Sequence, residues 1–173
     1  LFEILQNKFQ TEILSKKLEL NLGDVLENWG ENLRDERYFL VANLPYYVAT
    51  KIILKAIDDE KCAGMIVMIQ KEVAMKFSAN CGEKEFSALA IMANLRGKCK
   101  ICFDVAPDAF NQPPKVISSV IKIEKTHEIY GENALFATKT DYENFKNFLK
   151  LAFSSQRKKL IKSLTTNYSA NSL

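Results

Sequence analysis

The sequence predicts an α/β fold, a mainly parallel sheet with helices on both faces, and three observations lead there. Apolar runs of strand length alternate with segments whose apolar residues recur at helical spacing, the pattern of β-α-β units. Ala63–Ile69 is apolar from end to end, as a fully buried strand must be. At 173 residues, 47% of them hydrophobic and 26% charged, the chain can bury a sizeable core.

Phe2, Leu5, Phe9 and Ile13 are spaced for one amphipathic helix from residue 1 to about 17. Leu18–Leu22 reads as a short strand ending at Gly23-Asp24, and residues 24–37 as a polar connection with a helical turn. Tyr38–Ala42 is the next strand, followed by a helix over Val48–Ile57. The strand Ala63–Ile69 leads into a helix over Lys71–Ala79, and a further helix covers Phe86–Arg96. Lys98–Val105 and Ser118–Glu124 are the last strands; no helix separates them, which suits an antiparallel end of the sheet. A helical segment starts near Thr138 with apolar Phe145, Phe148, Leu149, Ala152 and Phe153. The expected division is therefore a sheet domain over 1–126 and the start of a small helical domain over 138–173.

Composition narrows the function classes. No run of about 18 apolar residues occurs and no signal peptide is visible, so a cytoplasmic protein without membrane spans is expected. The net charge of +3 is too modest to argue for nucleic acid by itself, but Arg157, Lys158, Lys159 and Lys162 cluster near the end. Cysteines 62, 81, 99 and 102 form no disulfide framework. Cys99 and Cys102 have CxxC spacing, yet residues three apart in a strand face opposite sides; reduced thiols and no metal site are expected. The single His127 lies past the last strand, as a solvated loop residue.

The chemistry concentrates at Asn43-Leu44-Pro45-Tyr46, directly after the strand Tyr38–Ala42. Ligands of open α/β sheets bind at the carboxyl ends of strands. The Asn43 side-chain oxygen and the Leu44 carbonyl are two acceptors, and Pro45 stiffens the turn while removing a donor. Tyr46 adds an aromatic face that can stack on a planar base. That set suits an exocyclic amine, whose two N–H bonds need acceptors as positive charge develops. A strand ending in a proline turn with packed tyrosines would use the same residues.

Asn43-Leu44-Pro45-Tyr46 with Tyr47-Val48-Ala49-Thr50 resembles motif IV of the ribosomal RNA adenine dimethyltransferases. Four further stretches match in the same order: Gly23-Asp24, Gln70-Lys71-Glu72-Val73, Phe110-Asn111-Gln112-Pro113-Pro114-Lys115-Val116, and the basic segment from Phe153 to Leu164. Together they cover nearly the whole chain, and the likeness is greatest to the small-subunit (KsgA/RsmA) branch. Leu44 stands where Erm resistance enzymes more typically carry Ile.

The resemblance implies a class I, Rossmann-like methyltransferase fold that uses S-adenosyl-L-methionine. Its target would be two adjacent adenines near the 3′ end of 16S rRNA, dimethylated at N6, with the 30S subunit as partner and a monomeric enzyme. It implies cofactor contacts by Asp24, the Val25 backbone and Asn43, and catalytic roles for Asn43, Leu44, Pro45 and Tyr46. Phe110 would face the target base across from Tyr46, so that a flipped adenine lies between aromatics. Lys115, Arg157, Lys158, Lys159 and Lys162 would contact RNA phosphates. Two departures concern the Phe110 loop: Gln112 replaces the family's first proline, and Ile117 stands where Asp is usual.

The six glycines are scattered, and none forms the glycine-rich strand-to-helix turn that holds the cofactor in this family. The expectation is a fragment lacking the first β-α-β unit and stopping early in the helical domain, poor in cofactor binding and inactive by itself. Three other functions share the motif: an Erm-type 23S rRNA methyltransferase, a DNA adenine methyltransferase (against which Leu44 argues), and a non-catalytic rRNA-binding assembly factor.

Overall fold

The structure is a computed structural model that describes residues 1–155 and 160–165, with backbone alone at 162 and 163. Its contacts divide the chain into two units, Leu1–Leu33 and Arg34–Leu173.

The first unit is helical. The single helix expected from residue 1 to about 17 is two, α1 (Phe2–Lys8) and α2 (Gln10–Leu14), separated at Phe9. The second stops early because Lys16 adopts φ 58°, the left-handed conformation that closes helices. The Lys16 N–H donates to Ile13 O and the Lys17 N–H to Glu12 O, the paired bonds of a Schellman motif without its usual glycine. Leu18–Leu22, expected as a strand, joins no ladder among the described residues. This unit holds only helices, and a strand without a neighbour leaves its backbone groups unpaired. Asp24 caps α3 (Val25–Asn28), the anticipated helical turn.

In the second unit Pro45 decides where the first β-α-β turn falls. A residue before proline is kept out of the helical region, so the chain stays extended past the end of β1 (Tyr38–Asn43) and no helix begins before Pro45. Pro45, at φ −60°, is then the N-cap of α4 (Tyr46–Asp58). The strand β2 (Cys62–Gln70) follows and pairs parallel to β1. After α5 (Lys71–Ser78) and α6 (Ala88–Arg96) come β3 (Gly97–Val105) and β4 (Ser118–Lys125). A 3-10 turn over Pro107–Ala109 begins the loop between β3 and β4, which contains no crossover α-helix. The last elements are α7 (Lys139–Ala152), opened by a Thr138–Asp141 capping box, and α8 (Leu160–Leu164).

The sheet order is β1-β2-β4-β3. β4 inserts between β2 and β3 and runs antiparallel to both. The mainly parallel expectation therefore needs correction: three strands share a direction, but only the β1–β2 pairing is parallel. Met65, Val67 and Ile69 of β2 and Ile121 and Ile123 of β4 are fully buried with Ile53, Ala56 and Ile57 of α4 and Phe77 of α5. Of the helical layers expected on both faces, this unit supplies one, formed by α4, α5 and α6. The alternate residues Phe39 (46% exposed) and Val41 (73%) lie open on β1.

Two features lock the far end of the unit. A Cβ on Gly97 would meet the Glu124 carbonyl oxygen at 1.9 Å, so only glycine lets β3 start this close to β4. Arg96, almost fully buried, and Lys125 donate to the carbonyls of Ala56, Ile57, Asp58 and Asp59 at the end of α4. These are groups a helix C-terminus leaves without intrahelical partners, and cations there also suit the helix dipole. Outside this, Tyr142 and Leu149 of α7 pack with Met92 and Ile129, flanked by Leu54, Phe136, Phe145, Phe148 and Phe153.

Candidate active site

At the carboxyl end of β1, Asn43, Leu44, Pro45 and Tyr46 line a cleft of about 310 Å³ together with Phe110, Gln112 and Pro114. Each wall has a local cause. Asn43 is the last strand residue and is exposed; its amide makes no side-chain hydrogen bond among the described residues. Leu44 is buried and donates its backbone N–H to Met68 O at 3.2 Å, which anchors the turn to β2. Its carbonyl accepts no hydrogen bond among the described residues, because α4 begins by bonding Val48 and Ala49 to the Pro45 carbonyl instead. Two acceptors thus stand open side by side in the chain.

Tyr46 is half-buried at the start of α4, and its Oη lies 2.7 Å from the Oγ of Ser118. Tyr47, next to it, is 87% exposed. Phe110 ends the 3-10 turn, donating its N–H to Pro107 O at 3.2 Å, and is half-buried where it lines the cleft. Beside the cleft, Lys71 Nζ and Ser119 Oγ each approach Asp104 at 2.6 Å. The hydrogen bonds from Lys71 and then Ser119 hold the Asp104 carboxyl below the usual carboxylate range.

The structure thus brings together five of the residues singled out in the sequence, Asn43, Leu44, Pro45, Tyr46 and Phe110. Lys115 is exposed on the Phe110 loop and does not line the cleft. Asp24 and Val25 belong to the Leu1–Leu33 unit, where Asp24 Oδ1 accepts from Leu26 N at 2.8 Å. Arg157, Lys158 and Lys159 lie outside the described residues, as does the side chain of Lys162, whose backbone is in α8. Sequence reading missed two contributors. In the sequence Gln112 stands out only as a departure from a proline pattern, and Ser118 reads as an ordinary strand residue.

Cys99 and Cys102 both lie on β3, which is not a regular strand between them. A bulge shifts the register between Ile101 and Phe103, leaving Cys102 exposed while Cys99 is half-buried. Burial first, and then the neighbouring Cys102, push the Cys99 thiol up to about 12. Among the described residues no group of His, Cys, Asp and Glu could hold a metal ion, and no helix is long and apolar enough to cross a membrane.

A strand-turn-helix cleft at the carboxyl end of a mixed sheet, with its last strand antiparallel, defines a Rossmann-like methyltransferase fold. The chain belongs to the ribosomal RNA adenine dimethylase family, whose model matches residues 1–173. It is 57% identical to ribosomal RNA small subunit methyltransferase A of Campylobacter concisus, over 100% of this chain and 62% of that protein. Identity to the protein of the same name from Campylobacter jejuni strain RM1221 is 46%, over 96% of this chain and 60% of that one. The chain thus spans about 60% of the length of the curated relatives it matches.

Among solved structures it is similar to a dimethyladenosine transferase from Plasmodium falciparum, with TM-score 0.73 and 26% identity over 95% of this chain and 57% of that chain. It also shares its fold with the 23S rRNA methyltransferase ErmE, at TM-score 0.68 and 18% identity over 98% of this chain and 64% of that chain.

Proposed function

We propose that the protein to which this chain belongs dimethylates the N6 atoms of two adjacent adenines near the 3′ end of 16S rRNA, using S-adenosyl-L-methionine. What carries this is the cleft: two acceptors without partners among the described residues, Asn43 Oδ1 and Leu44 O, share it with the aromatic residues Tyr46 and Phe110. An adenine N6 amine offers two N–H donors, and an extruded base offers two faces. The relatives named as small-subunit methyltransferases support this substrate over 23S rRNA.

In the proposed reaction Asn43 Oδ1 and Leu44 O take the two N6–H bonds, drawing the amine out of conjugation with the ring. Positive charge grows on the nitrogen as it is alkylated, and both acceptors are then bonded more strongly than to the neutral amine. Tyr46 stacks on the base and favours that charge by a cation–π effect of about 1–2 kcal/mol. The alkylated nitrogen loses its proton readily, so no strong base is needed. Pro45 keeps the turn from closing on its own acceptors. Phe110 and Tyr46 hold the base, which excludes water from the reacting face.

The cofactor, when bound, supplies an electrophilic methyl on a sulfonium. The residues at α3 fit its adenine edge. Asp24 uses one carboxylate oxygen to cap the helix, and the N–H of the next residue, Val25, has no described partner. An acceptor next to a donor matches adenine N6–H and N1. Asn43 is the third residue proposed to face the cofactor. Lys115, Arg157, Lys158, Lys159 and Lys162 are proposed to bind rRNA phosphates, giving affinity without base choice. A monomeric cytoplasmic enzyme acting on the 30S subunit completes the proposal.

The deciding experiment is Asn43→Ala in the complete protein. Because Asn43 is exposed and makes no side-chain hydrogen bond among the described residues, the fold should persist. Methyl transfer to adenine N6 should fall roughly 10²–10³-fold, as when one preorganised polar partner of a transition state is removed. Unchanged transfer would remove Asn43 from the chemistry.

A further inference from the structure

The two walls of the cleft come from distant parts of the chain, and one buried hydroxyl joins them. Ser118 opens β4, in register with Val105, the last residue of β3, and with Gln70, the last of β2. The loop that carries Phe110 therefore leaves from and returns to this one rung of the ladder. From the same rung the Ser118 side chain, which is fully buried, reaches Tyr46 Oη at 2.7 Å. That bond fastens the hydroxyl end of the Tyr46 ring.

Burial alone does not account for it. A buried hydroxyl needs a partner, but Ser119 is equally buried and satisfies itself differently, on Asp104. Alanine would need no partner at either position. Tyr46 stands at the first position of its helix and is only half-buried, so its ring is not fully enclosed by packing. A polar contact at the ring's tip selects one orientation where packing leaves several.

We infer that Ser118 is a positioning residue: its hydroxyl holds the Tyr46 ring at a set spacing from the Phe110 loop, so that the gap fits one planar base. This rests on the proposal that an adenine lies between the two rings. Ser118 would touch neither base nor cofactor, and would act through Tyr46 alone. Misplacement of a gripping group by about 1 Å can lower turnover as much as a hundredfold, and a tilt of one ring should do somewhat less.

The test measures kcat and KM of the complete protein on unmethylated small-subunit rRNA with S-adenosyl-L-methionine. The variants are Ser118→Ala, Tyr46→Phe, the double variant, and Ser119→Ala. Ser118→Ala should lower kcat by roughly tenfold while KM for S-adenosyl-L-methionine stays unchanged. Tyr46→Phe removes the same bond without touching the strand, so the result does not depend on how well Ser118→Ala folds. The double variant should then be no slower than either single one, because all three lack the same contact. Ser119→Ala should lower the melting temperature and leave kcat intact. A Ser118→Ala kcat within about twofold of the parent, or losses that multiply in the double variant, would overturn the positioning role while leaving the methyl transfer standing. An unmodified protein that transfers no methyl group would overturn both.

Discussion

Arg96 closes the C-terminal end of α4, its Nε donating to the Ile57 carbonyl oxygen at 2.9 Å. The same guanidinium reaches Asp58 O at 3.3 Å and His127 O at 3.5 Å, so one fork spans the helix end and the chain after β4. Its own carbonyl accepts from the N–H groups of Thr126 and His127. The helix it closes begins with Tyr46, so the residue at one end of α4 is held in register with the site at the other.

Replacing Arg96 by Met keeps most of the volume and removes every donor. Carbonyls that are buried without partners each cost about 1–3 kcal/mol, and hydrogen bonds to charged donors are among the stronger ones. The expected loss is about 3 kcal/mol of unfolding free energy, read from urea denaturation. Arg96→Lys should recover less than half of it, since an ammonium cannot span the same acceptors. A loss below about 1 kcal/mol would show that water replaces the fork.

Lys125 beside it makes stability depend on pH. Burial first, and then the charge of Arg96, bring its pKa from 10.5 down to about 8. Between those values the unfolded chain binds more protons than the folded one, so this group favours folding increasingly as pH rises from about 8 to about 10.5. Cys99 acts oppositely. Its thiol moves from 9.0 up to about 12, so its contribution declines as pH rises through that window. The difference between the protein and Lys125→Met isolates the lysine. It should shift toward the unmodified protein by on the order of 1 kcal/mol between pH 8 and pH 10. A difference that stays flat over that range would mean the ammonium remains solvated.

The cysteines should separate by reactivity. Cys81 and Cys102 are exposed, Cys62 is buried, and Cys99 has its thiolate suppressed by burial. At pH 8, iodoacetamide should alkylate Cys81 and Cys102 in the native protein at least about tenfold faster than Cys62 and Cys99, as followed by peptide mass spectrometry. Rapid labelling of Cys99 would indicate that the β3 bulge opens in solution.

Much of this was legible because local rules acted in the direction of the fold. The apolar runs at Tyr38–Ala42 and Ala63–Ile69 and the proline at position 45 placed β1, β2 and the turn between β1 and α4. Other features depended on partners elsewhere in the chain. Leu18–Leu22 has strand composition, but strand formation needs a neighbour that the Leu1–Leu33 unit does not contain. Nothing local marks β4 for insertion between β2 and β3, since pairing order is a long-range choice. Lys16 closes α2 in a conformation its residue type does not advertise. In the cleft, the motif residues announced themselves through their spacing after a strand. Ser118 did not, because the hydroxyl it meets is 72 residues away.

Phe110 tests the proposed cleft from its other wall. It is half-buried, sits on a loop, and takes no part in the aromatic cluster around Tyr142 and Leu149. Truncation to alanine should therefore change the melting temperature little. If the ring stacks on an extruded base, the loss should fall on RNA: base–aromatic stacking is worth about 1–3 kcal/mol by alanine substitution, or roughly 5- to 150-fold in affinity. Phe110→Ala should thus raise KM for small-subunit rRNA at least about fivefold, leaving KM for S-adenosyl-L-methionine unchanged. Phe110→Tyr, which keeps the π face, should stay close to the parent. Should Phe110→Ala and Phe110→Tyr both bind and methylate rRNA as the parent does, the base must be held by Tyr46 alone and the Phe110 loop must serve only to shape the cleft.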